Sequence, residues 1–208
     1  SLSYKTLHQA SSEDGQSHSL PIFDSMAMNL FIGQHLDISF EELDHVQEMD
    51  YLEMISGKTV ALIKGSFLLG AIAANADELL KQKFEIIGEQ VGLAFQMQDD
   101  FLGIWGDAHL LGKSVATDIT GKKMSLPIIY ALAHDPDLLA DWKRYNGNPA
   151  QVQDFADRIA ATGADQYTRE QWIKALNLAD EPLDSLQLNH PYQEALKALI
   201  GGLAERKR

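Results

Sequence analysis

Apolar residues recur along most of the sequence at intervals of three and four, which is the spacing of one face of an α-helix. No segment alternates between apolar and polar residues convincingly enough to predict a β-strand. A nearly continuous apolar segment, residues 60–72, predicts a helix that is buried on all sides. The pattern predicts one all-α domain over residues 1–208. The most regular apolar series comprises Leu79, Leu80, Phe84, Ile87, Val91 and Phe95.

Glycine, proline and polar clusters divide this pattern into separate helices. Residues 1–10 are predicted to be the tail of a helix and residues 11–19 a loop. Pro21 suits the first turn of a helix that ends near Asp37, and residues 39–48 are a predicted connection. The other predicted helices occupy about 46–57, 60–72, 75–106, 123–134, 150–162 and 164–178, with a last helix opening at Pro191.

Two details of this pattern bear on how the helices meet. Gly88 and Gly92 lie one turn apart, which would permit another helix to approach closely. The sequence Gly57-Lys58-Thr59 interrupts the apolar residues on either side of it. A lysine at such a point either extends to solvent or faces an anion, so a surface kink and an anion-binding residue are both open alternatives.

Composition and charge exclude several classes of function. The formal net charge of −13, with no basic stripe, argues against broad nucleic-acid binding. The absence of cysteine excludes disulfides, thiolate metal sites and cysteine nucleophiles, and it fits a reducing cytoplasm. The longest apolar run, residues 65–74, is shorter than the roughly 20 residues needed to span a bilayer. We therefore expect a cytoplasmic protein without a membrane span.

The most informative polar feature is an acidic pair that is followed by a lysine-rich turn. Asp99 and Asp100 end a helical apolar run, and residues 112–123 contain Lys113, Lys122 and Lys123. Carboxylates bind hard divalent cations, and lysine ammonium groups bind phosphate oxygens. This order favours a cation held against a multiply charged anion, while a solvated acidic pair and a simple helix stop remain the plain alternative.

Two helices carry polar residues on a single face. Gln34 and Asp37 lie three residues apart, and Gln96 precedes Asp99 and Asp100 by three and four residues. Because buried polar groups are costly unless they are paired, the two clusters are predicted to face one polar cavity. For Gln34 and Asp37 a solvated helix end is an equal alternative.

In this order, the motifs resemble those of the all-trans isoprenyl diphosphate synthase (polyprenyl synthetase) family. The resemblance covers most of the chain and implies the all-α helical bundle of isoprenoid synthases. It also implies a prenyltransferase that condenses an allylic diphosphate with isopentenyl diphosphate, with Mg²⁺ as cofactor and a homodimer as assembly. The matching segments are 33–37, 51–59, 95–96, 99–100, 112–113, 117–119, 122–127 and 192–200.

The resemblance assigns roles to individual residues. Lys58, Thr59 and Lys113 are the implied catalytic residues, because they would stabilise the departing diphosphate. The implied metal ligands are Asp99 and Asp100 of the second aspartate-rich motif, together with Asp107. The implied substrate-binding residues are Gln34, Asp37, Lys58, Thr59, Gln96, Lys113 and Lys123.

The sequence departs from the family pattern in two places. Gly103 stands where the second motif usually ends in aspartate, and Asp107 is the candidate replacement. The first aspartate-rich motif is absent, so the resemblance implies the C-terminal two-thirds of the fold. The 208 residues alone are therefore expected to be inactive.

Other functions remain open from the sequence. The main alternative is a non-catalytic helical subunit that partners a complete prenyl synthase. A terpene cyclase and a plain helical scaffold are further readings, and Lys58, Thr59 and the turn over residues 112–123 argue against the cyclase.

Overall fold

The computed structural model describes residues 5–6, 8–9, 19–106, 116–189 and 191–204, and every regular element among them is helical. Residues 5–6 and 8–9 are helical, as predicted. A π-helical turn, Ser56–Val60, and a 3₁₀ turn, Pro149–Gln151, complete the helical elements of the described residues. In chain order the α-helices are α1 Ser19–Phe40, α2 Glu48–Ile55, α3 Ala61–Ala73, α4 Glu78–Trp105, α5 Thr117–Thr120, α6 Leu126–His134, α7 Pro136–Arg144, α8 Val152–Ala161, α9 Ala164–Asp184 and α10 Tyr192–Ala204.

The bundle is built around the long helix α4, which packs against α3 on one side and α9 on another. Asp77 caps its start by accepting a hydrogen bond from the N–H of Leu80 over 2.8 Å. The predicted apolar stripe is buried at Ile87 and Val91, whereas Leu79 is exposed. The helix ends at Gly106, in agreement with the predicted boundary.

The predicted interruption at Gly57-Lys58-Thr59 is wrong. These residues belong to the π turn, which joins α2 to α3 in one continuous helical segment. A π turn inserts an extra residue into a helix and is frequent at functional sites. It therefore redirects side chains without ending the helix, and periodicity alone does not distinguish it from a break.

Glycines allow three of these helical segments to touch backbone to backbone. A Cβ atom on Gly92 would lie 2.9 Å from Cα of Val60, and one on Gly88 would lie 2.7 Å from Cα of Lys64. The predicted close helix contact is thus confirmed, between α4 and the π turn with α3. On the other side, a Cβ on Gly33 of α1 would overlap the backbone nitrogen of Lys58. The π turn is held between α1 and α4.

Two predictions about the elements need correction. Helix α7 is absent from the predicted helices; Pro136 occupies its first turn and Asp135 caps it. Helix α3 is not buried on all sides. Only Gly65 and Ala71 are buried within it, because it packs mainly on α1 and α4, and Leu62 stays exposed.

Residues Glu48–Ala73 form the one helical segment of the described chain that is long and apolar enough to cross a membrane by length and composition. Two lysines inside it are paired with neighbouring helices: Lys58 with Asp37, and Lys64 with Glu89 over 3.0 Å. Ion pairs with neighbouring helices are typical of a helix that packs in a bundle. The absence of a membrane span remains a prediction.

Replacing Gly88 by alanine should destabilise the fold, because the new methyl group would meet the backbone of α3. We expect the free energy of unfolding to fall by about 1–3 kcal/mol. The matched control is Gly70→Ala in α3, where an added Cβ meets nothing within 4 Å. This change should instead stabilise the protein by about 0.5–1 kcal/mol, and denaturant unfolding of both variants measures the difference. Equal effects of the two substitutions would contradict the close contact.

Candidate functional site

A polar cavity of about 140 Å³ lies where the C-terminal parts of α1 and α4 meet the π turn and residues 118–125. Four carboxylates and two ammonium groups line it, so charge dominates its wall. The lining residues are Asp37, Met54, Lys58, Gln96, Asp99, Asp100, Asp118, Lys123, Met124 and Ser125.

The carboxylate of Asp100 is buried and accepts hydrogen bonds from three segments of the chain. Tyr51 Oη of α2 donates to Oδ2 over 2.7 Å, and the N–H of Leu126 at the start of α6 donates to the same oxygen over 3.0 Å. Gln96 Nε2, one turn earlier on α4, donates to Oδ1 over 2.8 Å. Because a buried carboxylate is costly without donors, these bonds fix α2, α4 and α6 relative to one another.

Burial raises the pKa of Asp100 to about 7, and the nearby carboxylate of Asp118 acts in the same direction. The three hydrogen bonds oppose this rise. Burial also raises the pKa of Asp118; the ammonium group of Lys123, 3.7 Å from Oδ1, opposes it, and Asp99 adds to it. A cation that enters the cavity would favour the ionised form of both carboxyl groups.

Thr59 and Gln96 form a second polar link across the helices. Thr59 Oγ1 of the π turn donates to Gln96 Oε1 over 2.5 Å. The Gln96 amide is therefore held at both ends, since its nitrogen donates to Asp100. This orients the Gln96 side chain at the edge of the cavity that it lines.

Lys58 and Asp37 form an ion pair between the π turn and α1. Both side chains are partly buried, with 31% of Lys58 and 24% of Asp37 exposed. The backbone contact at Gly33 explains the pairing, because it brings the π turn against α1 one turn before Asp37. Lys58 therefore faces the cavity with its charge already balanced.

Asp118 occupies space that a side chain at position 103 would need. A Cβ atom on Gly103 would overlap Asp118 Oδ2 and would lie 2.6 Å from its Cγ. Gly103 itself lies inside α4, one turn beyond Asp99. The missing motif aspartate thus leaves room for a carboxylate that enters from the following segment.

The structure brings most of the predicted site residues together. Asp37, Lys58, Gln96, Asp99, Asp100 and Lys123 line the cavity, and Thr59 is bonded to one of them. Gln34 lies on α1 near Asp37 but is not part of this lining. The predicted residues Lys113 and Asp107 lie outside the described residues. The role of each of these residues in binding or catalysis remains a prediction.

Sequence reasoning missed two residues of the cavity network, Tyr51 and Asp118. Tyr51 precedes Lys58 by seven residues, about two helical turns, so spacing could have placed it near the same face. Asp118 lies in the matched segment 117–119, but neither this match nor its spacing assigned it a role. Within the described ranges, no group of three or more histidine, aspartate or glutamate residues could by itself hold a metal ion.

Known proteins resemble this chain over most of its described length. The profile of the polyprenyl synthetase family matches residues 1–161. Geranylgeranyl diphosphate synthase of Mycobacterium tuberculosis is 44% identical over 105 residues, which are 50% of this chain and 30% of that protein. The crystal structure of geranylgeranyl pyrophosphate synthetase from Pyrococcus horikoshii has a TM-score of 0.85 at 28% identity, covering 92% of this chain and 59% of that one.

A third similar protein was crystallised with ligands. Geranylgeranyl pyrophosphate synthase from Corynebacterium glutamicum, complexed with isoprenyl diphosphate and magnesium, has a TM-score of 0.85 at 25% identity. The match covers 91% of this chain and 55% of that one. The chain thus spans about 30% of the mycobacterial enzyme and between half and two-thirds of the two crystal structures. The fold predicted from the sequence is confirmed.

Stability of the metal-free protein should fall as the pH rises from about 4 to about 7. The folded protein keeps the Asp100 proton up to its pKa of about 7, whereas the unfolded chain releases it near 3.8. Between these values the folded state binds more protons, so raising the pH removes stability, by roughly 4 kcal/mol at most. Asp100→Asn should flatten the pH dependence in denaturant titrations. The same slope in this variant would contradict the assignment.

Restoring the family's aspartate at position 103 should harm the protein. The new carboxylate of Gly103→Asp would compete with Asp118 for one space, lowering the free energy of unfolding by about 1–3 kcal/mol. Gly202→Asp in α10 is the control, because nothing lies within 4 Å of an added Cβ there. Thermal unfolding of both variants measures the effect, and an unchanged melting temperature for Gly103→Asp would refute the competition.

Proposed function

Because the chain belongs to the polyprenyl synthetase family, we propose that it works as a trans-prenyltransferase, joining isopentenyl diphosphate to an allylic diphosphate. The observation that carries this proposal is the cavity in which four carboxylates meet the ammonium groups of Lys58 and Lys123. Its substrates are bulky anions, and the net charge of −13 makes local cations necessary for binding them.

Lysines and amides of the cavity bind the diphosphate of the allylic substrate in this proposal. Lys58 and Lys123 line the cavity and supply ammonium groups, while Gln96 supplies an amide. As the bond between the allylic carbon and the diphosphate breaks, these groups stabilise the negative charge that develops on the diphosphate oxygens. The double bond of isopentenyl diphosphate then attacks the allylic carbon, and loss of a proton gives a chain longer by five carbons.

Magnesium suits the acidic side of the cavity. Asp99 and Asp118 line it together, and Asp99 is close enough to raise the pKa of Asp118. Mg²⁺ is commonly bound through one or two carboxylates and substrate phosphates, so a complete cage of protein ligands is not required. When bound, Mg²⁺ would neutralise diphosphate charge. Asp99 is the proposed principal ligand, and Asp100 and Asp107 keep their predicted roles as further ligands.

A second, larger cavity of about 490 Å³ suits the hydrocarbon of the substrate. It is lined by the same three segments, α1, the π turn with α3, and α4, at positions further from the polar cavity. Its apolar wall includes Ile22, Met26, Val60 and Leu68, and the ion-paired side chains of Lys64, Glu85 and Glu89 also line it. Pockets of this volume are typical of small-molecule sites.

Homodimer formation and a cytoplasmic location are further parts of the proposal. Helix α1 exposes several large apolar side chains. Such an exposed apolar surface is typical of a face that another protein chain covers. A second copy of the chain is the proposed occupant. These exposed residues are Met28, Phe31, Ile32 and Ile38.

Asp99→Asn should weaken Mg²⁺-dependent binding of inorganic diphosphate to the 208-residue chain by roughly 10- to 100-fold, because a charged metal ligand is lost. Isothermal titration calorimetry with and without Mg²⁺ measures the affinity. The control Asp157→Asn changes an exposed carboxylate on α8 that does not line the cavity. Binding that is absent in the wild type, or equal in Asp99→Asn, would overturn the proposed site.

Turnover separates this function from its main alternative. We expect the 208-residue chain alone to elongate no allylic diphosphate, and the chain with any residues that precede it in its gene to do so. Elongation by the 208 residues alone would refute the expected inactivity. Elongation only after mixing with a complete prenyl synthase would instead favour a non-catalytic partner subunit.

A further inference from the structure

Tyr51 places its hydroxyl group inside the protein, next to the polar cavity. Its side chain is completely buried, and Oη donates to Asp100 Oδ2 over 2.7 Å. A buried tyrosine could be replaced by phenylalanine without loss of apolar contact, so the hydroxyl group is what needs an explanation. The hydroxyl is bonded to a carboxylate at the edge of the candidate site rather than to a distant part of the fold.

The hydrogen bonds continue from Tyr51 through α4 to the π turn. Asp100 Oδ1 accepts from Gln96 Nε2, and Gln96 Oε1 accepts from Thr59 Oγ1. Four side chains from α2, α4 and the π turn therefore form one series of donors and acceptors. Gln96 is among the proposed diphosphate-binding residues, and Thr59 holds its oxygen.

The donor-to-acceptor direction of these hydrogen bonds determines which atoms of the Gln96 amide are available to a ligand. An amide has a donor end and an acceptor end, and only the donor end can bond to a carboxylate. Asp100 therefore holds the Gln96 nitrogen, which turns the Gln96 oxygen towards Thr59. The hydrogen of the Thr59 hydroxyl is then used within the protein, whereas the Gln96 nitrogen has a second hydrogen that can be donated to a phosphate oxygen.

We propose that Tyr51 is a positioning residue for diphosphate binding, acting through Asp100 to orient the amide of Gln96. This inference rests on the proposed function and adds a residue to it. Asp100 Oδ2 has two donors, Tyr51 Oη and the N–H of Leu126. Loss of the tyrosine hydroxyl leaves this oxygen with one donor. The carboxylate then has freedom to turn, and the Gln96 amide is no longer held in one orientation.

The test is Tyr51→Phe, measured by the Mg²⁺-dependent affinity for inorganic diphosphate. We expect affinity to fall about tenfold, as for the loss of a hydrogen bond to a charged group. The matched control is Tyr145→Phe. Tyr145 is also buried, and its hydroxyl donates to the backbone oxygen of Asn148 over 3.3 Å, away from the cavity. This control should keep its affinity within about twofold of the wild type.

A double-mutant cycle separates positioning from general loosening of the fold. Thr59→Val is measured in the wild type and in Tyr51→Phe. If Tyr51 acts through the series, the two effects are not independent, and Thr59→Val weakens binding less in the Tyr51→Phe background. Effects that multiply, as independent changes do, would overturn the inference even if Tyr51→Phe is less stable.

The outcomes also separate this inference from the proposed function. Wild-type protein that fails to bind diphosphate with Mg²⁺ would refute the proposed function itself. Wild-type binding that Tyr51→Phe leaves unchanged would refute only the role of Tyr51. A tenfold loss in Tyr145→Phe as well would assign the effect to the removal of any buried hydroxyl, which also refutes a specific role for Tyr51.

Discussion

The burial of one carboxylate constrains the arrangement of the whole site. Asp100 lies inside the bundle, where an unpaired charge would be expensive, and its three donors come from α2, α4 and the first residue of α6. Any shift of one of these segments removes a donor from Asp100. The neighbouring residue, Asp99, is exposed and lines the cavity. Two adjacent aspartates therefore differ in environment, because consecutive residues of a helix point about 100° apart.

Close packing at glycine makes this convergence possible. Gly33 on α1 and Gly92 on α4 both lie against the backbone of the π turn, so the turn is held between two helices with no side chain in the way. Lys58 and Thr59 then reach opposite neighbours: Lys58 pairs with Asp37 of α1, and Thr59 bonds to Gln96 of α4. Consecutive residues of a helical segment point in different directions, about 100° apart in a regular helix, so Lys58 and Thr59 reach different partners.

The sequence predicted the parts of the structure that follow from local periodicity and from strong charges. The helical pattern predicted α1, α4 and most of the later helices but not α7, and the order of acidic pair and lysines predicted that Asp99, Asp100 and Lys123 would share a cavity. The π turn and the partial exposure of α3 were not predictable in this way, because they depend on which helices pack together. Tyr51 and Asp118 were missed for a related reason. Both reach the cavity network through tertiary contacts with α4, and a single sequence contains no direct measure of such contacts.

The pair Gly103 and Asp118 shows how a departure from a motif can be read in physical terms. Because position 103 is glycine, the face of α4 that carries Asp99 has one carboxylate fewer than the family motif. This difference by itself indicates weaker cation binding. In space, the side chain of Asp118 occupies the volume next to Gly103, and Asp118 lines the same cavity as Asp99. A carboxylate therefore lies beside position 103 although glycine occupies it. Asp118, which supplies the charge next to Gly103, belongs to the short helix α5 and not to α4. The acidity of the cavity therefore depends on the packing of α5 against α4 as well as on α4 itself.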